Sequence, residues 1–202
     1  MQFQDIRHHI LLMFRSCAGR REEGILHMIN INTPLNDVSK LKAGDDILLS
    51  GIIATARDRA HEYLINNKVD LQTNVIYHCG PIAKDKKIVS AGPTTSYRMN
   101  NMQKKVIEKY GLKGVIGKGG MDTNIFSDCI YLAALGGGGA ILANSILRVK
   151  KVLMLKEFGG AEAIWILEVR NFPVKVAIDI KGNNLYDRIK ERSSIKYNQL
   201  IK

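Results

Sequence analysis

From residue 28 onward, apolar runs of strand length alternate with stretches of helical periodicity. That alternation restricts the chain to an α/β architecture, with helices crossing between strands of one sheet. Strands are expected at 47–55 (ILLSGIIAT), 74–79, 87–91, 115–116, 129–135, 149–155, 164–169 and 174–180. The segment GPIAKD reads as a turn between the second and third of these. Helices are expected at 57–66, 99–110, 140–146 and 185–201. In the first, Ala60, Tyr63 and Leu64 share a face, and Asp58 sits in the first turn, where a carboxylate suits the helix dipole. In the second, Met102, Val106, Ile107 and Tyr110 share a face, and Gly111 stands where a C-terminal cap belongs. Crossover helices give way to a run of strands and then a last helix, so the sheet is expected to be mixed. No G-x-G-x-x-G follows the first strand, which argues against a dinucleotide-binding repeat.

The 202 residues suffice for one domain, and 46% apolar with 24% charged residues excludes a disordered chain. A formal charge of +11 fits a polyanion partner or a small anionic substrate, and does not choose between them. Residues 181–202 carry six basic and two acidic side chains, which read as a solvated helix face. Cys17, Cys79 and Cys129 form no C-x-x-C and no disulfide framework, so a reduced, cytoplasmic setting is expected. The most apolar stretch, 129–143, is shorter than the roughly 18–20 residues of a membrane span and holds four glycines. Residues 1–27 lack periodicity and read as an N-terminal extension, with the catalytic domain at 28–202. The string RREE at 20–23 could be encoded wholly by purines, as a translated ribosome-binding site would be, so Met28 is expected as the natural start, with a native extension or a short outer helix as the alternative.

Three segments put basic or hydroxyl groups at expected strand ends: TARDRAH (55–61), AGPTTSYRMN (91–100) and VIGKGGM (115–121). In the second, Thr94, Thr95 and Ser96 precede a helix, and Arg98 follows. Such hydroxyls can simply cap the helix, or they can join unpaired N–H groups and a guanidinium around an anion. In the third, Lys118 stands among Gly117, Gly119 and Gly120. The spacing is not that of a P-loop, and Gly119 follows the lysine where Ser or Thr should stand. IGKGG does match the G-x-x-G loop with which KH domains clamp nucleic acid, although Thr123 falls where an aliphatic residue is usual. A tight turn with a solvated lysine is the plainer reading. In the first, Arg57 either pairs with a nearby acid such as Asp58 or serves as a third cation. Two arginines, a lysine and several hydroxyls at strand ends would together make a dicarboxylate site.

TPLNDVSKLKAGDDILLSGIIATARDRAH, GPTTSYRMN, GVIGKGGM and EAIWILEVRNFPVKVAIDIKGNNLY together resemble the β subunit of class I fumarate hydratase. They equally resemble the β chain of L(+)-tartrate dehydratase and the C-terminal domain of single-chain enzymes. The resemblance covers about residues 30–187. It implies a single swivelling β/β/α-type domain and a hydro-lyase activity, the reversible hydration of fumarate to malate. Tartrate or a related hydroxy acid is the alternative substrate. It implies a partner α subunit whose three cysteines hold a [4Fe-4S] cluster, with one iron acting as Lewis acid on the hydroxyl added or lost. No residue of this chain is expected to bind metal, and an αβ pair doubled to α2β2 is the symmetric arrangement. Residue by residue, the resemblance gives Arg57, Arg98 and Lys118 to the substrate carboxylates and Thr94 to the catalytic base. A threonine needs activation for that role, which the family suggests an acidic group of the α subunit provides. Ser96-Tyr97 stands where small residues such as Ala-Gly are frequent, and the segment after Met121 is shorter than the family's.

The reading of the N-terminus is open to direct test. Mass spectrometry of the protein from its native source should find no peptide containing Phe3 or Phe14. Either peptide would place the start upstream of Met28.

Overall fold

The computed structural model describes residues 28–85 and 87–201. The extension assigned to residues 1–27, Cys17 included, lies outside the described residues. Nine strands are described: β1 (Met28–Asn32), β2 (Asp46–Thr55), β3 (Val75–Tyr77), β4 (Ile82–Lys84), β5 (Lys87–Ser90), β6 (Gly114–Gly117), β7 (Ile130–Ala133), β8 (Ile146–Leu153) and β9 (Ile164–Ile178). Five α-helices accompany them: α1 (Asp58–Asn66), α2 (Asn100–Tyr110), α3 (Gly139–Ala143), α4 (Leu155–Phe158) and α5 (Leu185–Leu200).

Seven strands form one mixed sheet in the order β1-β2-β3-β6-β7-β9-β8. β2, β3, β6 and β7 run parallel, which requires crossovers; α1 and α2 supply the first two. β9 runs antiparallel and pairs with both β7 and β2, so the sheet closes on itself. Strand alternation then sorts side chains to two cores. Val75, Tyr77, Ile116, Ile130, Leu132 and Leu167 pack inside the closed sheet. Ile76, Val115, Tyr131, Ile164 and Ile166 face outward and are covered by Ala60 and Leu64 of α1 and Val106 and Ile107 of α2. Cys79 belongs to the inner core and Cys129 to the outer.

The mixed α/β reading matches the structure, and the departures have local causes. The strands expected at 164–169 and 174–180 are one strand of 15 residues that ends at Ile178. Asn-Phe-Pro at 171–173 looks like a break, since Pro173 has no N–H for a ladder. A bulge opposite Gly51 carries the chain through instead. Asn171 takes a left-handed conformation (φ 52°), and its N–H donates to Ser50 Oγ. The turn-like 80–85 segment contains β4, which forms an exposed hairpin with β5. The helix expected at 140–146 ends at Ala143, and Ile146 already belongs to β8. α5 is a solvent-exposed basic helix, as its sequence indicates, with no buried residue. No described helix is long and apolar enough to cross a membrane.

Gly111 caps α2 in the left-handed conformation (φ 58°), and a Cβ there would meet nothing within 4 Å. Gly111→Ala therefore isolates the backbone strain, about 1 kcal/mol. Its urea midpoint should fall with an unchanged m-value; an unshifted midpoint would contradict the left-handed cap.

Candidate active site

The three basic loops meet where β2, β3 and β6 end. Arg57 follows β2 after Ala56 and occupies the N-cap position of α1. Lys118 follows β6 directly. Between them, residues 93–96 thread across the end of the sheet like an inserted strand. Thr94 N–H donates to the His78 carbonyl at 2.7 Å. Ser96 N–H donates to the Lys118 carbonyl at 3.0 Å, and Lys118 N–H to the Thr94 carbonyl at 3.3 Å. Isolated bridges join Cys79 to Pro93 and Thr95 to Lys118. Ligands of parallel α/β sheets bind at such C-terminal strand ends.

The hydroxyl loop is not a helix cap. Thr95 precedes the short 3₁₀ turn Ser96–Met99 and makes no side-chain cap bond. Thr94 Oγ1 donates to the His78 carbonyl at 3.1 Å, which leaves its lone pairs open. Ser96 is fully buried. The glycine loop is tied to its neighbours through its backbone groups. The Lys118 N–H and the carbonyls of Gly117, Lys118 and Gly119 are already engaged within the chain.

Each arginine is held by an acid. Arg57 Nη2 lies 3.2 Å from Glu162 Oε1, and its side chain is 23% exposed. Glu162 in turn accepts from the Arg59 N–H, which ties the start of β9 to α1. The Arg57 Nε is buried and has no partner among the described residues. Arg98 Nη2 lies 2.9 Å from Asp58 Oδ2 in a more exposed pair. The acid next to Arg57 in sequence thus holds Arg98, not Arg57. Lys118 makes no ion pair among the described residues, and its stem runs near Gly136. Tyr97 is 62% exposed and points away from the core. A surface cleft of about 550 Å³, lined by Pro34, Tyr110 and residues 68–74, lies at the opposite ends of β3 and β6 and gathers none of these groups.

Beneath the loops lies a buried polar cluster that the sequence reading passed over. His61 of α1, Gln103 of α2, His78, Ser96 and Tyr131 are linked side chain to side chain. The spacing that could have signalled it is Arg57-x-x-x-His61, which returns one helical turn later to the start of α1. Burial lowers the pKa of His61 and, together with the neighbouring His61 ring, drives that of His78 well down, so both rings are neutral. Gly117 makes room for the cluster. A Cβ there would lie 1.8 Å from Ser96 Oγ and 3.2 Å from His78 Nδ1.

The thiols do not fit a metal site. Burial pushes Cys79 up to about 12 and Cys129 higher still, so both are protonated. Among the described residues no three His, Cys, Asp or Glu converge. An iron–sulfur cluster has no donor set in the described part of this chain.

Fold and loop geometry define an α/β domain that gathers cations and hydroxyls at parallel strand ends. The Fumarase C-terminus family matches residues 13–189, and the chain belongs to that family. It is 45% identical over 182 residues to a protein of Methanocaldococcus jannaschii provisionally named L(+)-tartrate dehydratase subunit beta, covering 82% of this chain and 93% of that one. It is 38% identical over 170 residues to the L(+)-tartrate dehydratase subunit beta of Escherichia coli K12, covering 77% of this chain and 85% of that one. A provisionally named class I fumarate hydratase of Geobacillus stearothermophilus is 38% identical over 186 residues; the match takes 85% of this chain but 36% of that longer protein.

The neutral histidines set a pH dependence. Their folded pKa values lie below the unfolded value near 6.5, so below that pH the unfolded chain binds more protons. Stability should then fall with falling pH, by up to about 1.4 kcal/mol per pH unit for each ring. Urea midpoints of the full chain measured from about pH 7 to about pH 5 should decrease; a flat profile would contradict the buried neutral pair.

Proposed function

We propose that this chain is the β subunit of a two-subunit hydro-lyase that hydrates fumarate reversibly to (S)-malate. One observation carries the reading: Arg57, Thr94, Arg98 and Lys118 lie on adjoining loops at one end of a closed sheet, tied by backbone hydrogen bonds and ion pairs. In this reading Arg57, Arg98 and Lys118 hold the two substrate carboxylates. A guanidinium has five N–H donors, so Arg57 and Arg98 can keep Glu162 and Asp58 while donating to a substrate oxygen. Negative charge grows on the carboxylate beside the breaking C–H bond, and fixed cations stabilise it.

Thr94 Oγ1 exchanges the carbon-bound proton. Its only partner among the described residues is the His78 carbonyl, an acceptor, which keeps the proton on Oγ1. Taking a proton from carbon therefore requires activation from outside this chain. An acidic side chain of a partner α subunit would meet that need. The [4Fe-4S] cluster that the family resemblance implies would likewise be held by the α subunit, since the thiols described here are buried and protonated. Residues 28–202 would form the catalytic domain, in the cytoplasm.

L(+)-tartrate is the second reading, favoured by the names of the Methanocaldococcus and Escherichia relatives. Malate and tartrate differ by one hydroxyl, and the three cations would serve either.

With the α subunit present under anaerobic conditions, Thr94→Ala should cut kcat by about 10² or more with little change in KM. Arg98→Ala should raise KM for malate about tenfold at similar kcat. Near-normal turnover in the first would remove Thr94 as base, and an unchanged KM in the second would remove Arg98 from the substrate site.

A further inference from the structure

We propose that His61, Gln103, His78, Ser96 and Tyr131 form a positioning relay with a single proton order, which locks the three cationic loops into one unit. The functional half of this statement rests on the hydro-lyase reading; the proton order does not.

The distances define a continuous chain. His61 Nδ1 lies 2.8 Å from the Arg57 carbonyl. His61 Nε2 and His78 Nε2 lie 2.9 and 2.7 Å from the same carboxamide atom of Gln103, Oε1. His78 Nδ1 lies 2.7 Å from Ser96 Oγ. The Tyr131 hydroxyl lies 3.0 Å from Ser96 Oγ and 2.9 Å from the Gly119 carbonyl. One end of the chain is therefore the Arg57 backbone and the other is the loop that carries Lys118. Ser96 lies between them, two residues from both Thr94 and Arg98.

The two ends are carbonyls, which only accept. His61 must donate from Nδ1 and Tyr131 from its hydroxyl. A neutral His61 then has a bare Nε2, and only an amide N–H can satisfy it. The oxygen and nitrogen of a carboxamide exchange places by a half-turn, and the proton count selects the orientation that sets NH2 between the rings. Its second N–H serves His78 Nε2, so His78 also carries its proton on Nδ1 and donates to Ser96. Ser96 donates to Tyr131, and Tyr131 to Gly119. Every proton is assigned. With the carbonyl oxygen between the rings, His61 Nδ1 would be bare and face the Arg57 carbonyl lone pair.

Filling space does not account for this cluster. All five residues are fully buried, and apolar side chains would occupy the same volume with nothing to satisfy. The second polar atom of the Gln103 amide has no partner among the described residues, a cost that an apolar residue would avoid. Ser96 is the link between the His78 ring and, through the Tyr131 hydroxyl, the Lys118 loop.

Two measurements test the proposal separately. Nitrogen NMR of the full chain with ¹⁵N-labelled histidine should show both buried rings as the Nδ1–H tautomer at neutral pH; an Nε2–H tautomer or an imidazolium at either ring overturns the proton order, whatever the enzyme's substrate. In the complex with the α subunit, Tyr131→Phe removes only the last hydroxyl of the relay and keeps the ring in place. KM for the dicarboxylate should rise about tenfold with kcat within about threefold, the signature of displaced binding groups. Ser96→Ala, which cuts the relay one step earlier, should behave alike. Unchanged kinetic constants in both variants would make the cluster merely structural and overturn the positioning role. A wild-type complex inactive on malate, fumarate and tartrate would instead overturn the hydro-lyase reading, while the tautomer measurement would still decide the relay.

Discussion

The loops that carry the proposed site residues are joined by a short extended segment, residues 93–96, held between the ends of β3 and β6. Three backbone hydrogen bonds fix it: Thr94 to His78, Ser96 to Lys118, and Lys118 back to Thr94. They set Thr94, Arg98 and Lys118 in mutual register, because two of the loops then share one ladder. The arrangement is possible only because residue 117 is glycine. Any side chain there would occupy the place of Ser96 Oγ. Sheet, glycine and hydroxyl loop are therefore one device.

The electrostatics suit a site that waits for a second component. Each arginine is oriented by an acid, Arg57 by Glu162 and Arg98 by Asp58. The Arg98–Asp58 pair is half-exposed, and a pair of that kind contributes little to stability, so its use is better understood as orientation. The two acids hold guanidinium groups at the mouth of the site without exhausting their donors. Thr94 is placed differently. Its hydroxyl faces a carbonyl and finds no base among the described residues. A site with its cations in place and its threonine unactivated is what half of a shared active site would look like.

Much of the fold was legible because strands rich in Val and Ile alternate with helical periodicity. The Met102 to Tyr110 face and the Gly111 cap gave α2 almost to the residue. The single strand β9 was not legible. Asn171 and Pro173 signal a break locally, and only the pairing partners on either side carry the strand through. At the site, Arg57, Thr94, Arg98 and Lys118 were visible as basic and hydroxyl residues at strand ends. The ion-pair exchange was not, since Asp58 adjoins Arg57 yet pairs with Arg98. The buried cluster was less visible still. His61, His78, Gln103 and Tyr131 come from four separate stretches of the chain, and the Arg57-x-x-x-His61 spacing marks only one end of the cluster.

The most direct test of a shared hydro-lyase site is anaerobic co-expression of the full chain with a candidate α subunit, followed by the absorbance of fumarate on adding malate. The expected result is a brown, co-purifying complex that forms fumarate only when both chains are present. A stable complex inactive on malate but active on L(+)-tartrate would keep the site and change its substrate. Failure of the chains to associate, or full activity of this chain alone, would contradict the shared site.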